Sequence, residues 1–215
     1  MTTIIKGHIV HAPVFGALRC IENGYIVCED GVIAGVYETL PPEYAAIPLT
    51  DHGDRLIIPS FCDMHLHAPQ YAMLGLGMNM QLLEWLDAYT FPTEARFGDE
   101  AFARAVYRRL AGELVRVGTT RAVLFSSIHR AGTRILMEEL QRAGVTGYVG
   151  KVNMDRNSPA GYCENTRESI AETERFIEEC AGRYAHISPL LTPRFTPSCT
   201  DELLAALGGF ARKYA

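Results

Sequence analysis

His65-Leu66-His67 places two imidazoles two residues apart, with Asp63 another two residues upstream. On an extended strand residues i and i+2 face the same side, so both rings can converge on one ion. Neutral imidazole is a common zinc ligand, and a catalytic zinc keeps a position open for water. The spacing alone also arises by chance, so a metal pair and two unrelated histidines both stay open. Asp63 reads as a group that orients a histidine or its strand. His8, His11, His52 and His186 have no spacing argument and read as surface or loop residues, whereas His129 reads equally as pocket lining or as structural. Glu84 and Glu94 show no partner in sequence and read as solvated or hydrogen-bonded structural carboxylates. A deaminase zinc site of the cytidine type needs HxE and a PCxxC pair, and neither occurs here.

Positioning these histidines falls to an apolar strand, because Leu56-Ile57-Ile58-Pro59 leads into Phe61-Cys62-Asp63 immediately before them. The spacing predicts helices over 101–116, 133–143, 166–180 and 201–214, alternating with strands over 119–125, 145–152 and 187–192. Gly118 and Gly144 sit where helix C-caps belong. Such alternation implies a parallel sheet with crossover helices, either doubly wound or a (β/α)8 barrel. A barrel takes about 250 residues, so the visible units amount to half a barrel or a complete small open sheet. Barrel active sites gather at the C-terminal ends of the strands, where His65 and His67 fall. Leu82, Leu83, Trp85 and Leu86 form a helical apolar face that predicts core packing, with Leu83 and Trp85 as the pair that can reach a ligand. Residues 1–58 differ in texture: short β-rich runs surround the turn Glu29-Asp30-Gly31, which predicts a hairpin within part of a small β-sandwich.

The totals are those of a globular chain: 215 residues, 48% apolar, 21% charged. A net charge of −5 with no run of like charges argues against nucleic acid or an anionic membrane as partner. No apolar run approaches the ~20 residues that span a bilayer. The N-terminus lacks the features of a signal peptide. The cysteines (Cys20, Cys28, Cys62, Cys163, Cys180 and Cys199) include no CxxC and read as reduced thiols filling small core positions. Together these features predict a cytoplasmic protein.

The run Pro59-Ser60-Phe61-Cys62-Asp63-Met64-His65-Leu66-His67 is similar to the PGxxDxHxH signature of the amidohydrolase superfamily. Ala68-Pro69-Gln70-Tyr71, Leu82-Leu83-Glu84-Trp85-Leu86, Tyr89-Thr90-Phe91-Pro92-Thr93-Glu94 and Thr192-Pro193-Arg194-Phe195 resemble guanine deaminases in particular. Val117-Gly118-Thr119-Thr120, Ile128-His129 and Val149-Gly150-Lys151-Val152 extend the resemblance, which runs from about residue 55 onward and is only thematic before it. Ser60 stands where the family usually has glycine and Met64 where it often has threonine, which bears on turn geometry beside the ligands.

The resemblance implies an α/β fold: a partial (β/α)8 TIM-type barrel of about four βα units over 59–215, preceded by part of a β-sandwich over 1–58. It implies His65 and His67 as zinc ligands. His67, Ala68, Pro69, Gln70, Arg194 and Phe195 are then expected to contact a purine, with guanine and water giving xanthine and ammonia. A family member is expected to be a homodimer holding one Zn2+ per site. The family's later histidines, catalytic glutamate and metal-bound aspartate match nothing in this sequence. The expectation is therefore a truncated chain that binds zinc weakly and is inactive alone. A related hydrolase of another amino-heterocycle and a non-catalytic purine-binding or assembly module are the alternatives.

Overall fold

The computed structural model describes residues 1–214. The chain forms two compact units that divide between Ser60 and Phe61.

In the first unit, β1 (Thr2–Val14) pairs antiparallel with β2 (Ala17–Glu29), which pairs antiparallel with β3 (Val32–Tyr37). The β2–β3 turn is Asp30-Gly31 with φ of 50° and 83°. Positive φ at both central residues is the turn geometry that matches strand twist, and this is the hairpin expected from Glu29-Asp30-Gly31. β4 (Leu49–Ile57) returns parallel to β1, giving one sheet of order β3-β2-β1-β4. Ile9, Ile21 and Ile26 form its apolar centre.

The second unit begins with β5 (Phe61–His67), followed by α1 (Leu82–Trp85), α2 (Phe91–Ala95) and α3 (Glu100–Arg116). Then come β6 (Thr119–Phe125), α4 (Arg130–Ala143), β7 (Thr146–Asn153), α5 (Thr166–Cys180), β8 (Ile187–Pro193) and α6 (Asp201–Lys213). Sequence placed these long helices and later strands within a few residues of their observed bounds. Their ends are set locally: Asp99, Asn165 and Thr200 accept backbone N–H bonds at the starts of α3, α5 and α6. Gly144 ends α4 in the left-handed region at φ 77°.

All four strands of this sheet are parallel, in the order β5-β6-β7-β8. A doubly wound sheet reverses direction at a switch point; this sheet proceeds in chain order without one. The open-sheet alternative therefore falls, and the unit is a partial (β/α)8-type barrel. Tyr107, Leu110, Leu124, Ile135, Leu136, Met137, Val149 and Phe176 pack between strands and helices as its main core. A second cluster of Leu86, Phe91, Val152, Met154 and Tyr162 lies toward the C-terminal strand ends.

Three expectations need correction. Of the cysteines read as filling core positions, Cys180 and Cys199 are buried, whereas Cys20 and Cys62 are exposed. Leu56 to Asp63 is not one buried strand. Ile57 pairs with Ile9 in the first sheet, whereas Phe61 pairs with Thr119 in the second. Ile58-Pro59-Ser60 belongs to neither strand, as suits a proline that has no N–H to give a ladder. Leu82 and Leu83 are not core residues either; both are about two-thirds exposed, while Leu86 is buried. α1 is a single turn that runs directly into a π-helical turn, Leu86–Thr90, before α2 resumes the α pattern.

Candidate functional site

The residues singled out in sequence converge at the C-terminal ends of β5 and β8. His67 is the last residue of β5 and pairs in register with Phe125 at the end of β6. The His65 and His67 rings lie 5.1 Å apart, edge to face, and both rest against Phe125 at 5.0 and 4.9 Å. Asp63 accepts the backbone N–H of His65 at 3.0 Å, so it fixes the strand rather than a ring. Burial, then Arg194 and His65, push the His67 imidazole down to about 4. It is thus neutral at physiological pH, the form that ligates metals. Its Nδ1 is buried without a hydrogen-bond partner. A neutral ring with an orphaned nitrogen beside a second imidazole fits two positions of a zinc ligand set. Among the described residues no third His, Cys, Asp or Glu joins them.

Beside this pair lies a buried polar chain. Gln70, in the 3-10 turn Ala68–Met73 that follows β5, donates from Nε2 to Glu94 Oε1 at 3.2 Å. Arg194, just past β8, donates from a terminal nitrogen to Glu94 Oε2 at 2.5 Å. The Glu94 side chain is fully buried and that of Arg194 is 4% exposed. The Arg194 guanidinium also sits 5.2 Å over the Phe91 ring. Ala68 and Pro69 are buried in the same 3-10 turn as Gln70. Phe195 is more open and borders an apolar cleft of about 340 Å3 with Leu83, Leu86 and Phe91. Exposed Leu83 therefore meets this cleft rather than the core.

The loops that carry these groups are tied to one another. Arg194 donates its backbone N–H to Asn153 O at the end of β7, at 3.1 Å. Asp155 accepts from Thr166 Oγ1 at 2.7 Å and from the Thr200 N–H and hydroxyl at 2.7 and 2.5 Å, joining the starts of α5 and α6. Lys151 is buried and donates to Glu164 Oε1 at 2.5 Å; Glu164 also accepts from the Met154 N–H and Ser169 Oγ. Burial lowers the Lys151 ammonium pKa, and Glu164 opposes that shift. His129 meets Ala95 O at 3.2 Å and packs near Tyr162, a structural tie between the β6–α4 loop and the end of α2. Sequence reasoning missed the Glu94 link, because its partners lie 24 and 100 residues away. It also missed Lys151–Glu164. The one available signal was a lysine inside the apolar strand Val149–Val152, where a buried charge calls for a partner.

A parallel βα sheet whose candidate site lies at the C-terminal strand ends, with an HxH pair on the first strand, defines the class. The sequence profile described as the amidohydrolase family matches residues 56–215, and the chain belongs to that family. Among curated proteins it is similar to guanine deaminase of Mus musculus, with 44% identity across 100% of this chain and 50% of the mouse protein. Guanine deaminase of Homo sapiens is 41% identical across 97% of this chain and 48% of its own length. A crystal structure described as guanine deaminase from C. acetobutylicum with bound guanine in the active site superposes with a TM-score of 0.94. That match has 40% identity and covers 100% of this chain and 51% of the other. The chain spans about half the length of the relatives it matches. No helix among the described residues is long and apolar enough to cross a membrane.

Proposed function

We propose that this chain carries the guanine-recognition part of a guanine deaminase-type aminohydrolase, which converts guanine and water to xanthine and ammonia. The observation that supports it most is the buried Gln70–Glu94–Arg194 chain beside the His65–His67 pair. An apolar pocket with a few fixed polar groups suits a planar heterocycle. Ala68 and Pro69 form the base, Phe195 offers a ring face, and Gln70 and Arg194 address polar edges. His65 and His67 would hold a zinc ion, whose chemistry when bound is Lewis acidity toward the attacking water. The neutral state of His67 leaves its nitrogen lone pair available for that role.

On this reading residues 59–215 make the first half of a metal-dependent amidohydrolase barrel, and residues 1–58 part of a small β-sandwich. The whole enzyme is then a cytoplasmic homodimer with one zinc per site. Titration calorimetry of guanine into this chain tests the reading. We expect saturable binding that weakens by about tenfold or more in Gln70→Ala or Arg194→Met, the loss of one good hydrogen bond. Absence of guanine binding, or tighter binding of a pterin or triazine, counts against it.

A further inference from the structure

We infer that Glu94 is a positioning residue that sets which heterocycles the site accepts: neutral ones with an N–H to give and a carbonyl to receive, and not anions. The inference rests on the purine-site reading above and deepens it. It begins with an asymmetry of hydrogen bonding. A carboxylate only accepts, so the group of Gln70 that faces Glu94 must be its amide nitrogen. That removes the usual ambiguity of an amide, whose two ends differ little in shape. With Nε2 committed to Glu94 at 3.2 Å, the Gln70 carbonyl oxygen is turned away from it, as an acceptor for an N–H donor.

The other carboxylate oxygen acts on Arg194. It takes one guanidinium N–H at 2.5 Å, and among the described residues the Arg194 side chain makes no other hydrogen bond. The guanidinium is planar with donors in a fixed fork. Holding one corner therefore fixes the direction of the rest, and a carbonyl oxygen can receive them. The opposite charges of Glu94 and Arg194 also cancel at close range, in a setting where both side chains are almost wholly buried. A lone buried arginine attracts carboxylates, phosphates and anionic heterocycles. One already neutralised by Glu94 gives an anion little net attraction while that anion still loses its hydration. With both groups held by Glu94, Gln70 is left an acceptor to offer, Arg194 is left donors, and the Glu94–Arg194 pair carries no net charge.

The position of Glu94 in the chain suits this task. It lies on α2, one residue from its end, while Gln70 follows β5 and Arg194 follows β8. A single side chain from a third element therefore sets the relative orientation of two loops.

The test compares this chain with Glu94→Gln, which keeps the shape but removes the charge and the acceptor-only character, and with Glu94→Asp, which keeps the charge one methylene shorter. The probes are guanine and urate, the second an anion at neutral pH, each titrated calorimetrically. We expect preference for guanine over urate in the parent chain and a fall in that preference of about tenfold or more in Glu94→Gln. Glu94→Asp should fall between them, and it carries the comparison if the glutamine variant does not fold. An unchanged guanine-to-urate ratio in the folded variants overturns the inference.

If the parent chain binds neither purine, the proposed function fails, and proton exchange at the Arg194 guanidinium, read by NMR, decides the inference separately. Slow exchange in the parent chain that becomes fast in the variant upholds the positioning role. Equal exchange in both rejects it.

Discussion

At the scale of single residues, the arrangement shows how much depends on where a carboxylate finds its cations. Glu139, on α4, is 1% exposed and meets Arg104, Arg108 and Arg142 at 2.9, 3.2 and 3.1 Å. Burial raises its pKa, but hydrogen bonds from Arg108 and Arg104 and the charge of Arg142 outweigh that, leaving it below 4.5. Removing one member of a buried charge network costs several kcal/mol, less here because the arginines are 38–59% exposed. We expect Glu139→Gln to lower stability by about 2 kcal/mol in urea denaturation at neutral pH. The folded-state pKa is the lower one, so the stabilisation is complete above the unfolded-state value of 4.5 and is lost as pH falls through the folded-state value. The gap between parent and variant should therefore shrink in acid; a gap constant down to strongly acid pH contradicts this account.

The metal pair also belongs to this scale. Two imidazoles alone make a poor zinc site. A chelating-dye competition should find weak zinc binding by this chain, lost in His67→Ala. Tight binding would mean that a further ligand on this chain joins the pair. What sequence showed here was chemistry carried by neighbours: His65, His67 and Gln70 lie within six residues. Glu94 ends a run that resembles the family, but its sequence neighbours show no partner for it; only folding brings it to Arg194.

At the scale of elements, the long helices were legible because their stops are local and chemical. Gly118 and Gly144 occupy left-handed positions, and Asp99, Asn165 and Thr200 cap helix starts. The β4–β5 break had one local mark, Pro59-Ser60, but Ile57, Ile58 and Phe61 on either side are all apolar, so the run reads as one strand. Pairing partners decide it, and those lie in different sheets. Gly147 is a sharper case. It takes φ 138° at the start of β7, and a Cβ there would come within 1.9 Å of Ala122 O. Gly147→Ala is expected to cost more than about 2 kcal/mol, because both φ and space forbid the side chain. Thermal unfolding reads this directly, and an unchanged midpoint would show that β6 and β7 can separate at no cost.

At the scale of the whole molecule, β8 closes its sheet on one side with no strand beyond it among the described residues. Tyr148, Leu190, Leu191 and Phe210 border the adjoining groove. Exposed edges and apolar surface favour association between copies. Sedimentation at increasing concentration should therefore show self-association, and a monodisperse monomer throughout speaks against an open β8 edge. The fold class was legible at this scale because strand and helix alternate at regular spacing. Alternation alone left barrel and doubly wound orders open, since strand order is a property of pairing; the family resemblance of the sequence is what pointed to the barrel.

The π-helical turn at Leu86–Thr90 has a consequence for how this chain tolerates a change in length. Each residue of an α-helix turns the chain by about 100°, and a π turn takes up one residue more than an α turn. Deleting one residue between Leu86 and Thr90 would mend the helical ladder, yet it would swing everything after it by roughly a quarter turn or more. Glu94 would then leave Gln70 and Arg194 and face a new neighbour. A shortened variant of this kind should lose its hold on the ligand and also melt earlier than its parent, because separating Glu94 from Arg194 leaves two buried charges unpaired, so that a local repair of the backbone disables the site.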